Sequence, residues 1–573
     1  MAKSSPLSRK PAFVTLILWL GLLSPSWAFD VAAPSWPTWV DQFIETYLSF
    51  HPTFAVNAGR HEYDGRLPDW SAEGLTRQIE WLKGQRQAAL GFDQARLDEG
   101  QRFERKYLIG VIDGELFWLE SARWPHKNPL FYSRALDPNV YVSRPYAPLP
   151  QRLRAFISYA RNVPAAAAQI RANLKPPLRR TYIDIGKIVF GGLAKFYESD
   201  AKVAFADVTD PELQAQFESA QREAAKSMRE LMGLLDQQTP GATSDYALGA
   251  ERFREMLRAT EAVEIPLDVL EAAGRRDLDR NLVALQDECH RLLPEASISQ
   301  CVERVESDKP ALGPVETARE QLSELKAFVS EQGLVTIPSQ DEASVAESPP
   351  YHRWNPAYID IPGPFERGLP AIYYVAPPDP AWTAAEQAAY IPGKADLLFI
   401  SAHEVWPGHF LQFLHAHRLP AKFSQLFVSY GFSEGWAHYA EELVWEAGLR
   451  SGDAKTHIGQ LLNALLRDVR FLCAIGLHTQ GMTVETSERM FRELAYQDAA
   501  NARQQAARGT FDPAYLNYTL GKLMIRKLRD EWTASRGGRK AWKQFHDALL
   551  SYGGPPLPLV REAMLSIQAG GPL

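Results

Sequence analysis

Positive charge is in short supply in this chain. Against 62 Lys and Arg, its 573 residues set 69 Asp and Glu, for a formal net charge of −7 and a pI near 6.1. The basic footprint of a nucleic-acid binder is missing, and small molecules or peptides are the expected partners. Cysteine is scarcer still. Cys289, Cys301 and Cys473 are the only three, with neither the spacing nor the surroundings of a zinc finger. In an oxidising compartment Cys289 and Cys301 could be bridged across a helix-turn-helix around Leu293-Pro294; two unpaired core thiols are the other reading. Long apolar runs are confined to Ala12 through Leu23. That run follows Lys3, Arg9 and Lys10 and precedes the small-x-small triplet Ser26-Trp27-Ala28, so residues 1–28 read as a secretory signal. No cysteine follows the expected cut to carry a lipid, and no later segment reaches membrane-spanning length. The mature chain is therefore expected to be periplasmic or secreted, with no stable membrane span.

Internal repeats and βαβ alternation are also lacking, which argues against solenoids and doubly wound sheets. What is present is 46% hydrophobic and 11% aromatic residues in a length that exceeds one ordinary core, enough for two helical lobes. Residues 29–335 read as a succession of amphipathic helices. One runs from Asp268 to Leu293, with Leu270, Leu278, Leu282 and Leu285 at helical intervals. Residues 336–383 form a Pro-rich hinge with short β-prone stretches, Tyr358 to Ile361 and Ala371 to Val375. Helical patterning returns over residues 384–573. The fold class expected is mainly α and bilobed, with a small β-sheet near the active-site cleft.

The chemistry lies in Ala402-His403-Glu404-Val405-Trp406-Pro407-Gly408-His409-Phe410. Two histidines six residues apart are turned by about 600° on a regular helix and face different ways, whereas a His-Glu-x-x-His pair advances about 400° and shares a face. Pro407 lacks an N–H and collides with the carbonyl four residues back, and Gly408 tolerates unusual dihedrals, so the helix should break between the histidines and re-aim His409. A catalytic zinc (Zn2+) site wants a third protein ligand. Glu434, in Gly431-Phe432-Ser433-Glu434-Gly435-Trp436-Ala437-His438-Tyr439, is the best candidate, on a second helix reached by a turn near Leu419-Pro420. Glu404 would then serve as general base. Glu441, two turns past Glu434, is the substitute ligand. His438 could bond a ligand carboxylate or simply cap a packing layer, and His415 and His417 read as surface groups or as groups behind the ligands.

His-Glu-x-x-Pro-Gly-His followed by Glu-Gly-Trp-Ala-x-Tyr-x-Glu resembles the bacterial family known as domain of unknown function 885, whose members resemble zincin-type metallopeptidases. The likeness extends to His51-Pro52-Thr53, to Tyr63 through Asp69 and to Phe545 through Leu550. More distantly the pattern is similar to angiotensin-converting enzyme, thimet oligopeptidase and the Taq-type carboxypeptidases. The resemblance implies a zincin-like helical fold with a deep channel, zinc held by His403, His409 and Glu434, and hydrolysis of short peptides. Tyr518, His478 and Arg470 match recurring family segments and are the expected supporting catalytic groups. Two departures stand out: Phe410 where family members often carry His, and Ala474 where they carry Asp.

Two other readings follow from the same residues. A catalytically degenerate chain would keep the fold and use it only to bind a peptide or a metal. Alternatively, Gly431-Phe432-Ser433-Glu434-Gly435 matches the Gly-x-Ser-x-Gly elbow of serine hydrolases, with Ser433 as nucleophile, His546, and Asp468 or Asp530. The run Ala371 to Val375 could be an edge strand that pairs with a peptide backbone, or an ordinary buried strand.

Overall fold

Trp36, Trp39, Val40, Phe43 and Tyr47 recur at helical spacing, and the chain is helical there, burying all five along one stripe of α1 (Trp36–Phe50). The computed structural model describes residues 34–349, 357–378, 382–566, 571 and 573. The expected signal segment, 1–28, lies outside them. The same logic yields α2 (Glu99–Leu116), α3 (Leu149–Asn173), α4 (Pro211–Gln238), α5 (Ala250–Glu261), α6 (Leu267–Leu292), α7 (Ile298–Glu306) and α8 (Pro314–Glu331). In α6 the expected Leu270, Leu278 and Leu285 are buried and Leu282 is partly so. Cys289 at the end of α6 is bridged to Cys301 in α7, and Cys473 is a buried free thiol.

The Pro-rich stretch contributes a three-stranded sheet of order β1-β3-β2, made of β1 (Ala343–Glu347), β2 (Ala357–Asp360) and β3 (Ala371–Val375). β1 runs parallel and β2 antiparallel to β3. Because β3 is paired on both sides, its backbone has no free edge for a peptide strand, which corrects that expectation. The buried-strand reading holds: Ala371, Tyr373, Tyr374 and Val375 are all enclosed.

Beyond the sheet come α9 (Lys394–Glu404), α10 (His409–Ala416), α11 (Tyr430–Ala447), α12 (Ala454–Thr479), α13 (Ala499–Phe511), α14 (Asn517–Ala534) and α15 (Trp542–Leu550). The fold is mainly α with one small sheet, as expected. Its apolar interior divides into two clusters. One is built from residues between Trp36 and Leu235, with Phe423, Leu426 and Phe427 inserted into it. The other joins α5 through α8, the sheet and α9 through α15 around Trp406, Trp436, Phe432 and Phe471.

Candidate metal centre

Helix α9 delivers His403 and Glu404 on its last turn and stops there; α10 begins at His409. The expected interruption is therefore present. The Gly408 N–H donates to the Ala402 carbonyl at 2.9 Å, folding the chain back over the end of α9. A Cβ on Gly408 would stand 1.8 Å from the His403 carbonyl oxygen, so only glycine fits. Trp436, fully buried in α11, donates its indole N–H to the Pro407 and Gly408 carbonyls at 2.9 and 3.3 Å. The broken turn is thus pinned by the helix that carries Glu434.

As a result the His403 and His409 rings lie 4.8 Å apart and nearly perpendicular, at 89°. Nε2 of each faces one carboxylate oxygen of Glu434, at 3.2 and 3.4 Å respectively. One donor atom from each of the three residues lies within 4.8 Å of the others, and no other such His, Cys, Asp and Glu group occurs among the described residues. The opposite nitrogens are also engaged. Nδ1 of His403 is 2.7 Å from Oε1 of Glu441, and Nδ1 of His409 is 3.4 Å from the Ser433 hydroxyl. Both rings are therefore held with Nε2 turned inward, the arrangement by which outer partners orient metal-binding imidazoles.

The electrostatics favour positive charge at the centre. Burial opposes ionisation of His403, yet hydrogen bonds to Glu434 and Glu441 lift its pKa to about 9. Burial likewise opposes ionisation of Glu434, but the His409 and His403 rings hold its carboxyl well below the ordinary range. Two nitrogens and one carboxylate oxygen, converging and partly enclosed, form a donor set that suits zinc.

Glu441 is accordingly not a converging ligand but the group behind one. Its Oε2 is 3.2 Å from Nδ1 of His438, and Arg467 lies 3.4 Å from Oε1. His438 therefore bonds a carboxylate, though not that of Glu434. Glu404 is half-buried at the end of α9, and burial raises its pKa while His409 and His403 pull the other way.

A profile described as a bacterial protein of unknown function (DUF885) matches residues 52–564. The chain belongs to the DUF885 family. Two solved structures share the architecture. One is a provisionally named lipoprotein of unknown function from Shewanella oneidensis, 22% identical with a TM-score of 0.77, over 93% of this chain and 100% of that one. The other is a provisionally named lipoprotein from Colwellia psychrerythraea, 16% identical with a TM-score of 0.76, over 93% and 98%. No curated protein matches the chain.

Helix α14 also packs against α11 here. Gly435 on α11 and Gly521 on α14 let their helices touch backbone to backbone, since a Cβ on Gly435 would come within 2.5 Å of the Gly521 Cα. This approach sets Tyr518 beside the centre, its ring 6.2 Å from that of His403 and inclined by 22°. Burial raises the Tyr518 phenol pKa, and Glu434 raises it further. Arg470 is brought in as well, its guanidinium carbon 5.0 Å from the Tyr518 ring centre. His478 is not. It lies eight residues further along α12, about 12 Å, with both nitrogens taken by backbone: Nε2 at 2.7 Å from the Gly509 carbonyl and Nδ1 accepting from the Leu248 N–H at 3.3 Å. Its part is structural, correcting the expectation of a catalytic role.

The family departures are absorbed by packing. Phe410 sits edge-on against Trp406 at 5.1 Å, and Ala474 is buried in α12. His415 bonds the Thr336 carbonyl at 2.8 Å. The route from His409 to Glu434 holds a short helix, Lys422–Leu426, as well as the expected turn. Ser433 is no nucleophile elbow. It sits inside α11 and no strand precedes it, because Ser429 caps the helix N-terminus. His546 bonds Tyr439 and the Leu334 carbonyl, and Asp468 bonds Asn281 and Thr519, so no triad is assembled.

Sequence reading missed a polar relay behind His403. Arg467 bonds the Asn463 side chain at 2.5 Å, and Asn463 in turn reaches the half-buried Asp396 at 2.5 Å. Burial, with the nearby charge of Glu306, raises Asp396 to about 7. The spacing 463, 467, 470 on one helix was a visible signal. Its partner Glu441 could not be assigned without the contact between α11 and α12.

Proposed function

We propose that this chain is an exported zinc-dependent peptidase of zincin-like type, which hydrolyses short peptides. The observation that carries the reading is the convergence of the His403 and His409 Nε2 atoms with the Glu434 carboxylate, each ring steered from its far nitrogen. His403, His409 and Glu434 would hold the zinc ion. A zinc ion held there supplies a Lewis acid that polarises the scissile carbonyl and makes a water acidic near neutral pH.

The chain's own groups do the rest. Glu404, next to His403 but outside the converging set, takes a proton on a carboxylate oxygen from the attacking water and passes it to the leaving nitrogen. The Tyr518 hydroxyl, kept protonated by burial and by the Glu434 charge, donates to the carbonyl oxygen as negative charge gathers on it. Arg467, through Glu441, keeps the His403 ring in place. Export fits the provisional lipoprotein names of the two structural neighbours, and no helix among the described residues is long and apolar enough to cross a membrane.

The test is elemental analysis of the purified protein and three variants, beside a peptide-library digest. His403→Ala and Glu434→Ala are expected to lose the metal, while Glu404→Gln keeps it and loses turnover. A wild-type protein that retains no transition metal and cleaves nothing overturns the reading. One that holds zinc without cleaving is a binder instead.

A further inference from the structure

Three guanidinium groups surround the Tyr518 ring: Arg470 at 5.0 Å, Arg467 at 5.9 Å and Arg508 at 6.0 Å. Two of them have carboxylate partners. Arg467 faces Glu441 at 3.4 Å, and Arg508 pairs with Asp512 at 2.9 Å. Arg470 has none. It is 7% exposed, and its Nε donates to the neutral Gln505 side chain at 2.9 Å. Its two terminal nitrogens have no hydrogen-bond or ion-pair partner among the described residues. They are also not among the fully enclosed orphan atoms, so they open onto accessible space.

A buried guanidinium without a counter-charge is costly, and three of them around one ring repel one another. Burial and the neighbouring Arg508 push the Arg470 pKa down to about 10. An anion arriving at its terminal nitrogens would relieve both penalties, and a carboxylate matches the forked donor geometry.

Placement says which carboxylate. Arg470 is 5.0 Å from the Tyr518 ring centre, which is 6.2 Å from the His403 ring centre, so laid end to end the two cap the separation at about 11 Å. An extended peptide advances about 3.3–3.6 Å per residue. The cap therefore covers a chain end one to three residues beyond a bond cleaved at the metal centre.

We infer that Arg470 is the recognition group for the free C-terminal carboxylate of the peptide, which makes this site an exopeptidase acting from the C-terminus. The inference rests on the peptidase reading and deepens it. Water adds across the scissile bond, the C–N bond breaks, the nitrogen leaves as an amine, and the departing fragment is the short piece whose carboxylate Arg470 holds.

The experiment separates the two readings by measuring binding without turnover. Zinc-loaded Glu404→Gln protein is titrated calorimetrically with N-acetylated tripeptides in three forms: free C-terminal acid, C-terminal amide, and C-terminal amide with Glu as the last residue. The free acid is expected to bind at least about tenfold tighter than either amide, a difference of about 1.4 kcal/mol. Adding Arg470→Gln should abolish that preference, and Arg470→Lys should restore part of it, with unchanged thermal unfolding as the check on folding. Equal binding of acid and amide, no binding of any form, or a preference for the Glu-ending amide overturns the inference. Zinc content and library cleavage by the wild-type protein, read from the same preparation, report separately on whether it is a peptidase.

Discussion

Nδ1 of His403 lies 2.7 Å from Oε1 of Glu441, seven residues and two turns beyond Glu434 on the same helix. One face of α11 thus supplies both the carboxylate in front of His403 and the carboxylate behind it. Burial opposes the charge of Glu441, but Arg467, His438 and His403 hold it ionised. Its work is to accept the Nδ1 proton and so fix which nitrogen faces the centre. Glu441→Gln should lower zinc affinity by about 10–100-fold with little change in helical content. Competition with a chromogenic chelator measures this, and an unchanged affinity would remove Glu441 from the site.

Gly408 decides whether the broken turn can close over α9. Its missing side chain leaves room that a methyl group would fill 1.8 Å from the His403 carbonyl, and backbone cannot swing aside as a flexible side chain can. Gly408→Ala should cost about 1–3 kcal/mol or more of stability, measured by denaturant unfolding. It should also lose zinc, because His409 starts the next helix. A variant that unfolds earlier but binds zinc normally would show that the turn does not aim His409.

How much of this was legible in the sequence depends on whether the cause was local. Pro407 and Gly408 announce the interruption because their chemistry acts on neighbouring backbone. The leucines of α6 announce a helix because their period does. The pairing of β3 on both sides was not legible, since Ala371 through Val375 carry the same residues whether the strand is central or at an edge. His478 misled for the same reason. Its match to a recurring family segment implied a catalytic task, but α12 carries it away to bond the Gly509 carbonyl and the Leu248 N–H. The relay from Arg467 to Asp396 shows half of itself as the spacing of Asn463 and Arg467 on α12, but its far end needs α9 to meet α12, and no spacing along one helix encodes that.

His478 gives a pH test that is independent of the metal. Burial holds its pKa down to about 4, below the ordinary value of about 6.5. Between those values the unfolded chain binds a proton that the folded one refuses. The stability this ring permits is complete above about pH 6.5 and is lost as pH falls toward 4, by up to about 1.4 kcal/mol per pH unit. Buried acids act in the opposite sense: burial and the Asp277 charge raise Asp468 to about 8. Only a difference between variants isolates the histidine. The stability of His478→Gln should fall less steeply than that of wild type between about pH 6.5 and 4 in matched urea titrations, and parallel curves would contradict a neutral buried ring.

The bridge between Cys289 and Cys301 joins α6 to α7, and α7 leads to the start of the metal-bearing helix. Glu306 at the end of α7 accepts from the Gly393 N–H at 3.3 Å, and the Asp308 carbonyl accepts from the Lys394 N–H at 2.9 Å. The cross-link closes a loop with a sequence separation of 12, which by restriction of the unfolded chain is worth about 3 kcal/mol. Cys289→Ala combined with Cys301→Ala avoids burying new hydroxyl groups and should lower stability by about that amount. Zinc affinity should change less than about threefold. His403 sits nine residues past Lys394, roughly 14 Å along α9, and is held there by Glu441 and Glu434 rather than by the helix start. If zinc affinity instead fell in step with stability, α9 would be transmitting the loss from one end to the other, and the independent hold on His403 would be disproved.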